Sequence, residues 1–504
     1  MNTRRNIKGM LAVFVALFLL LAGYLVYIVG AYGTYWFASP YNTRVTKQKN
    51  AVQAGTIFDR RGFVLATTNE AGERNYAADE SMRLATAHVI GDTTGQTLGA
   101  EALFAKYLLG FDQDLGEQLS YLVSGKQRTG ADIMLTVDAA LSEYAYSLLE
   151  GNNGAILLMN YKTGEVLACT ARPGFDPARM KDYATGGYTL AEGSMVNRAT
   201  MGRYTPGSTF KIVTAIAALR YLPNVQSRTF LCSGPLVFEK ESGTLVNDDV
   251  NPYDETGTLR EEYILLRDHE DARHGELTLE EAFIHSCNHV FAQLALEIGE
   301  TNLRKTAESL GFNGELLFDE LVAYPGTYSD AETDFELAWS GVGQHTDIIT
   351  PVHLCLITCA IANGGAAMEP KLLKGVSGTA GIEYKSLAPE EYEAFLKGNE
   401  AEFLAACMRG VVQRGTGTHA AVDGYTVCGK TGTAEVSSAK NARAHAWFTG
   451  YIDSDAHPYA ITVIVEQAGG GGTVAAPIAS KVLERAVKTK AESGSVSCSK
   501  VGKN

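Results

Sequence analysis

The chain has 504 residues, with 43 Lys and Arg against 57 Asp and Glu and a net charge of -14. That length exceeds one ordinary compact domain and suits a large domain with a smaller one, leaving ample chain for a buried core. The acidic balance, with no long basic block outside the extreme ends, excludes nucleic acid as an expected partner.

From Met10 to about Ala31 the sequence is apolar and uncharged, matching the run of about 20 residues that crosses a hydrocarbon core. Arg4, Arg5 and Lys8 precede it and no charged residue follows until Arg44, so the positive-inside rule predicts a cytoplasmic N-terminus and an external remainder. Tyr24, Tyr27, Tyr32, Tyr35 and Trp36 crowd the far end, as an interfacial aromatic belt would. A cleaved signal peptide is the alternative. The apolar run exceeds a typical h-region, however, and no clear small-x-small site follows it at the right distance.

A polar segment from Tyr41 to Gln53 leads into Ala54–Ala66, whose alternation around Asp59 to Gly62 predicts a β-hairpin. The stretch to about Arg128 mixes short amphipathic helices, such as Glu101 to Leu109, with glycine-rich turns. It contains no cluster suggesting chemistry and reads as a spacer or docking module. Asp132–Asp138 then opens a helix running to about Glu150, with Asp138 as N-cap.

Ala155–Met159 and Glu165–Thr170 flank Tyr161-Lys-Thr-Gly164, predicting two buried strands and a tight turn with glycine at a positive-φ position. Far along the chain His445–Ile452 and Tyr459–Gln467 repeat the pattern across a turn, and Ala475–Val487 closes with a helical period. Strands at both ends of a helical middle imply one sheet assembled from distant segments. The residues after about Lys488 are small, polar and lysine-bearing, and read as a disordered tail. The predicted division is therefore 1–36 anchor, 37–131 juxtamembrane module, 132–487 main domain and 488–504 tail.

The eight cysteines are scattered with no Cys-x-x-Cys pair, which argues against a structural zinc site. Disulfide pairing is left open by the sequence. Gly469 to Gly472 follows a strand but lacks the lysine and spacing of a phosphate-binding loop.

Three short motifs carry the chemistry. The first is Tyr204-Thr-Pro-Gly-Ser208-Thr-Phe-Lys211, running into the apolar helix Ile212 to Leu219. A serine three residues before a lysine shares its helical face. A hydroxyl becomes a useful nucleophile only with a base in reach, and a desolvated lysine can serve. The second is Ser286-Cys287-Asn288, at a break between two apolar helical stretches. There a hydroxyl can relay a proton and an amide can orient a carbonyl. The third is Cys428-Gly-Lys430-Thr431-Gly432-Thr433-Ala-Glu435 on a predicted strand. Gly432 would let a ligand backbone approach, while Lys430 and the hydroxyls of Thr431 and Thr433 suit a carboxylate. Each motif alone is more often a helix cap or a turn.

Together, in this order, they match the Ser-x-x-Lys, Ser-x-Asn and Lys-Thr-Gly set of penicillin-binding proteins and serine β-lactamases. The flanks Asn197-Arg-Ala199, Thr350-Pro351, Ile361-Ala-Asn-Gly-Gly365 and His445-Ala-Trp-Phe-Thr-Gly450 also resemble that family. The resemblance covers about Leu135 to Glu484, and more loosely Gly55 to Ala66, and is strongest to the class B, monofunctional D,D-transpeptidases. About a hundred residues between anchor and main domain leave no room for a glycosyltransferase domain, so a bifunctional class A enzyme is not expected.

The resemblance implies an α/β fold of the transpeptidase and serine β-lactamase kind, a five-stranded antiparallel sheet sandwiched by helices. It implies Ser208 as nucleophile, Lys211 as acylation base, Ser286 as proton relay and Asn288 as the orienting amide. Lys430, Thr431, Gly432 and Thr433 would form the substrate-carboxylate strand, and the backbone amides of Ser208 and Thr433 the oxyanion hole. Substrates would be peptidoglycan stem peptides, with β-lactams as covalent inhibitors and a polytopic glycan-polymerising synthase as possible partner. No metal or organic cofactor is implied. The competing functions are a D,D-carboxypeptidase or β-lactamase, in which water resolves the acyl-enzyme, and a non-catalytic β-lactam sensor or scaffold.

Overall fold

The apolar N-terminal stretch forms one helix in the computed structural model of the chain, α1 (Thr3–Ala38). The structure describes residues 3–39, 42–113, 121, 123, 127–246, 250–378, 381–435 and 443–489. Asn6–Gly30 within α1 is long and apolar enough to cross a membrane, and none of it is buried against the protein. Such a helix fits a single-pass anchor. The polar segment after it folds as a short helix, Thr43–Ala51, capped by the Asn42 side chain.

The predicted hairpin is present as Ile57–Phe58 and Val64–Thr68. Its turn is held by buried Asp59, whose carboxylate accepts from the amides of Arg61 and Phe63, each at 2.8 Å. The two strands belong to a six-stranded sheet in the order Glu383–Ser386, Leu373–Ser377, Asp132–Leu135, Ile57–Phe58, Val64–Thr68, Arg74–Tyr76. The sheet thus draws on both sides of position 131, and a division of the chain there runs through shared backbone pairing. The segment Asp132–Leu135, expected only to lead into a helix, is a strand paired parallel to Ile57–Phe58. The helix itself, α2 (Ala139–Leu148), starts where Asp138 caps it by accepting from the Leu141 amide at 3.0 Å. The amphipathic stretch near Glu101 is two short helices, Ala100–Leu103 and Ala105–Leu108, broken at Phe104.

The main sheet is antiparallel throughout. Its strands are β1 (Gly154–Asn160), β2 (Val166–Arg172), β3 (Val427–Ala434), β4 (His445–Ile452) and β5 (Tyr459–Val465), in the order β3-β4-β5-β1-β2. Gly164, at φ 77°, supplies the left-handed residue that the β1–β2 turn requires. Three helices adjoin the motifs, α3 (Lys211–Tyr221), α4 (Leu279–Ile284) and α5 (Asn288–Ile298), and α6 (Pro351–Ala362) packs on the main sheet. The C-terminal helix is α7 (Ala476–Lys488). Helices cover both faces of the sheet, so the strands are apolar on both. Ala155, Leu157 and Met159 of β1 join one core cluster. Ile156 and Leu158 join the other, together with α7. Period-two alternation places two different cores on either side of one strand.

The seven cysteines from Cys169 to Cys428 are free and buried. Cys498 and the tail from residue 490 lie outside the described residues.

Candidate active site

Ser208 sits on a single 3-10 turn, Gly207–Thr209, that feeds directly into α3. It therefore precedes the helix rather than lying in its first α-turn. Three tethers hold the turn. The Gly207 amide donates to Gly343 O at 2.8 Å, the Thr209 hydroxyl donates to Pro206 O at 2.8 Å, and the Trp447 indole N–H donates to Thr205 O at 3.0 Å. Ser208 is half-buried, and among the described residues its hydroxyl has no hydrogen-bond partner.

Gly207 adopts φ 54°, and a Cβ there would come within 2.5 Å of Thr433 O. The Ser208 turn is thereby pressed against the backbone of β3. Gly207→Ala combines left-handed strain with a backbone clash and is expected to cost about 1–3 kcal/mol. The loss should be visible as a lowered denaturant midpoint at unchanged m-value, together with slower acylation by penicillin.

Lys211, the first residue of α3, is fully buried. Its ammonium donates to the Asn288 Oδ1 at 2.7 Å, to the Ser286 Oγ at 3.2 Å and to the Ser286 carbonyl. It also lies 5.6 Å from the Phe291 ring centroid. Ser286 occupies the break between α4 and α5 in a left-handed conformation, φ 58°. For a non-glycine residue this costs about 1–2 kcal/mol, and the contacts to its carbonyl and hydroxyl hold it there. Cys287, not Ser286, caps α5, its sulfur accepting from the Val290 amide. Asn288 is fixed from two sides: its Nδ2 donates to Arg267 O at 2.8 Å and its backbone amide donates to the Asp268 carboxylate.

Lys430 on β3 is also fully buried, and its ammonium donates to Ser286 Oγ at 2.9 Å and to Thr431 O at 3.0 Å. Both lysines thus converge on one hydroxyl. Gly432 serves packing: a Cβ there would lie 2.8 Å from Thr209 Cγ2 and 3.1 Å from Pro206 O, so its bare Cα admits the Ser208 turn. Of the two threonines, Thr431 is buried and its hydroxyl is tied to Thr416 at 2.6 Å. Thr433 is half-buried, and its hydroxyl accepts from Gly471 N at 3.3 Å. Its position makes it the more accessible of the pair.

Sequence reasoning missed several supports. Gln344 clamps the end of β3, donating to Thr433 O at 3.0 Å and accepting from Glu435 N at 3.3 Å. Asp268 supports Asn288, and Tyr204 reaches Glu466, paired with Arg198, at 2.7 Å. These residues contact the motifs from other parts of the chain, and nothing in their local sequence marked them. Cys232 and Cys287, 55 residues apart in the chain, meet Asp268 and His274 in one cluster.

Burial sets the electrostatics. It lowers the Lys211 ammonium to about 8, with the Asp268 carboxylate acting in the opposite direction. Burial, reinforced by the charge of Lys211, pushes Lys430 well below an ordinary lysine. Two ammonium groups sharing one hydroxyl cannot both be charged at low cost.

The sequence profile described as "Penicillin binding protein transpeptidase domain" matches residues 154–221 and 241–484. The chain belongs to the penicillin-binding protein transpeptidase family. It is 26% identical over 474 residues to peptidoglycan D,D-transpeptidase PbpA of Mycolicibacterium smegmatis, covering 90% of this chain and 92% of that protein. It is 30% identical over 402 residues to peptidoglycan D,D-transpeptidase MrdA of Haemophilus influenzae, covering 73% of this chain but 58% of that longer protein. Among solved structures, the D,D-transpeptidase domain of a peptidoglycan glycosyltransferase from Eggerthella lenta superposes with a TM-score of 0.71 at 28% identity, over 87% of this chain and 99% of that one. Penicillin-binding protein A from M. tuberculosis, solved as a ceftriaxone acyl-enzyme, gives 0.75 at 23% identity over 87% of this chain and 99% of that one, a likeness of fold. The relatives place this transpeptidase with the monofunctional, class B members, and its five-stranded sheet is the expected one.

Proposed function

We propose that this penicillin-binding protein is a membrane-anchored, serine-type peptidoglycan D,D-transpeptidase acting in division, elongation or sporulation. The observation that carries the reading is the convergence of buried Lys211 and Lys430 on Ser286 Oγ. The Ser208 turn, pressed against Thr433, completes the arrangement. Ser208 Oγ attacks the carbonyl of the penultimate D-alanine of a stem peptide and passes its proton to neutral Lys211. The amides of Ser208 and Thr433 stabilise the oxyanion, at about 2.7–4 kcal/mol for a single such donor. Ser286 relays the proton to the departing D-alanine, and an amine from a neighbouring stem then attacks the acyl-enzyme and releases Ser208.

The terminal carboxylate would bind beside Lys430 and Thr433. Its charge favours the protonated form of Lys430, which in turn disfavours the charge on Lys211 and readies that group as a base. For penicillin acylation the working form is neutral Lys211, so the second-order rate constant is expected to rise with pH and level off above about 8. A flat profile from pH 6 to 9 would remove Lys211 from the role of base.

Arg4, Arg5 and Lys8 before the apolar segment favour a cytoplasmic N-terminus and an external catalytic domain. The juxtamembrane module, residues 37–131 in chain terms, would be the surface for a polytopic glycan-polymerising partner. The deciding experiment supplies the full-length protein in detergent with a stem-pentapeptide donor and an amine acceptor, and follows products by mass spectrometry. Cross-linked product and a stable penicillin adduct are expected. Hydrolysed peptide alone would indicate a carboxypeptidase, and rapid turnover of penicillin a β-lactamase.

A further inference from the structure

Three buried polar side chains, Tyr328, Ser340 and Asp347, gather around the segment that leaves the helix Asp334–Gly341. Asp347 is fully buried, and its Oδ1 accepts from the Ser329 amide at 2.9 Å. Its Oδ2, the Ser340 hydroxyl and the Tyr328 hydroxyl are buried too, and among the described residues none of the three has a hydrogen-bond partner. The Ser340 hydroxyl favours the Asp347 charge, and that charge opposes ionisation of Tyr328, so the three act on one another. Buried polar atoms are nearly always paired. An ionised Oδ2 pairs both hydroxyls at once, directly or through one ordered water, whereas a protonated Oδ2 is itself a donor and has less to offer them.

The segment from Ser340 to Ile349 meets the Ser208 turn repeatedly. The Gly343 amide donates to Ser340 O, and the Gly343 carbonyl accepts from the Gly207 amide, each at 2.8 Å. Gln344 clamps Thr433, Ile349 exchanges backbone bonds with Tyr204 at 2.8 and 3.0 Å, and Ile348 does the same with Thr327 at 2.8 and 2.9 Å. Tyr328, next in the chain, stacks on Phe210 with ring centroids 6.0 Å apart, and Phe210 stands between Ser208 and Lys211. We propose that the Asp347 carboxylate, with the Ser340 and Tyr328 hydroxyls, is a node that holds this segment, and through it the Ser208 turn, in the geometry for acylation. Asp347 is thus a positioning residue, in a role that rests on the transpeptidase reading of Ser208.

The charge at the node is costly. Burial pushes the Asp347 carboxyl up to about 6, although the Ser329 amide, the Ser340 hydroxyl, His345 and Arg304 all favour its ionisation. Among the described residues no ion pair relieves it: Arg304, whose guanidinium lies 5.0 Å from the Tyr328 ring centroid, is paired with Glu300, Glu308 and Asp330. Because the folded value lies above the ordinary 3.8, ionised Asp347 opposes folding, a cost absent below about 3.8 and complete above about 6. A buried acid kept only for packing is improved by its neutral isostere at no loss, whereas one kept for its charge gains stability and loses function by the same change.

The test follows penicillin acylation and thermal unfolding of the full-length protein in detergent across pH. For the wild type, the logarithm of the acylation rate should climb with a slope of about one between pH 6 and 8, where Lys211 loses its proton, and steepen toward about two below pH 6, where Asp347 gains one. Asp347→Asn, which carries a donor at the Oδ2 position as the protonated acid does, should acylate about tenfold more slowly at about pH 7 and lack the steeper limb. It should nevertheless unfold at a higher temperature than the wild type, with the gap closing between about pH 6 and 3.8. Slower reaction in a more stable protein is not the signature of a packing defect. Ser340→Ala, which removes a donor from the carboxylate, should move the steeper limb to higher pH. Histidine changes charge in the same range, so His345→Gln is the control and should keep the limb. Equal rates and profiles for wild type and Asp347→Asn, loss of the limb in His345→Gln, or an Asp347→Asn protein that is less stable or does not fold overturns the node. Unfolding is independent of acyl transfer, so wild-type protein that took no penicillin would overturn the transpeptidase reading and leave the stability comparison to decide whether Asp347 carries the buried charge.

Discussion

Ser208→Ala is expected to abolish covalent labelling by penicillin, a loss of at least about 10^4-fold in acylation rate, while leaving the folded protein intact. Nucleophile removal in serine acyl-transfer enzymes leaves only what binding and the oxyanion site supply, and neither can form the ester bond. The fold should be indifferent to the change. Ser208 is half-buried and its hydroxyl has no partner among the described residues, so the stability change should stay within about 0.5 kcal/mol. A fluorescent-penicillin time course, run beside thermal unfolding of both proteins, separates the two effects. Labelling of the alanine variant at the wild-type rate would move the nucleophile elsewhere.

Lys211→Met is expected to reduce acylation by about 10^2 to 10^4-fold, the range for a positioned general base, with little net change in stability. Two opposing terms account for the second expectation. The folded-state value near 8 against 10.5 for free lysine means that at pH 7 the fold bears a penalty on the order of 3 kcal/mol for enclosing the charge. Methionine removes that penalty, but leaves Asn288 Oδ1 and the Ser286 carbonyl without their donor, a loss of about 1–3 kcal/mol. The pH dependence tests the assignment. Between pH 8 and 10.5 the unfolded chain holds the Lys211 proton and the folded one does not, so this residue's contribution to stability rises with pH across that window. The variant should lack that share of the rise. Identical stability profiles would mean Lys211 is not the depressed group, and an unchanged acylation rate would exclude it as base.

The regular elements were legible where periodicity was strong. β1, β2, β4 and β5 alternate between two cores, so both faces are apolar, and that pattern with its turn residues marks them in the linear sequence. The strand Asp132–Leu135 was not legible, because four residues give too little period and its partners lie at Ile57–Phe58 and Leu373–Ser377. Non-local pairing decides such a strand, and local propensity does not.

The site divides the same way. Ser208, Lys211, Ser286, Asn288 and Lys430 stood out because three short motifs in a fixed order are improbable together; the fold joins the last four by hydrogen bonds and sets the Ser208 turn against β3. The role of Gly432 was only half visible. Its lack of a side chain could be read as room for a ligand, but only the structure shows Thr209 and Pro206 packed against it. Gln344 and Asp268 carry no local mark, since each acts by reaching a backbone group far away in the chain.

By itself the sequence determined the anchor, the sheet's apolar strands and the three motifs, since composition, period and residue spacing are properties of neighbours along the chain. Tertiary structure alone decided that two lysines share the Ser286 hydroxyl, that Gly207 and Gly432 admit the Ser208 turn, and that Cys232, Asp268, His274 and Cys287 meet. The physical reason is that hydrogen bonds and steric fit act over a few ångströms in space, between residues whose separation along the chain is set only by folding.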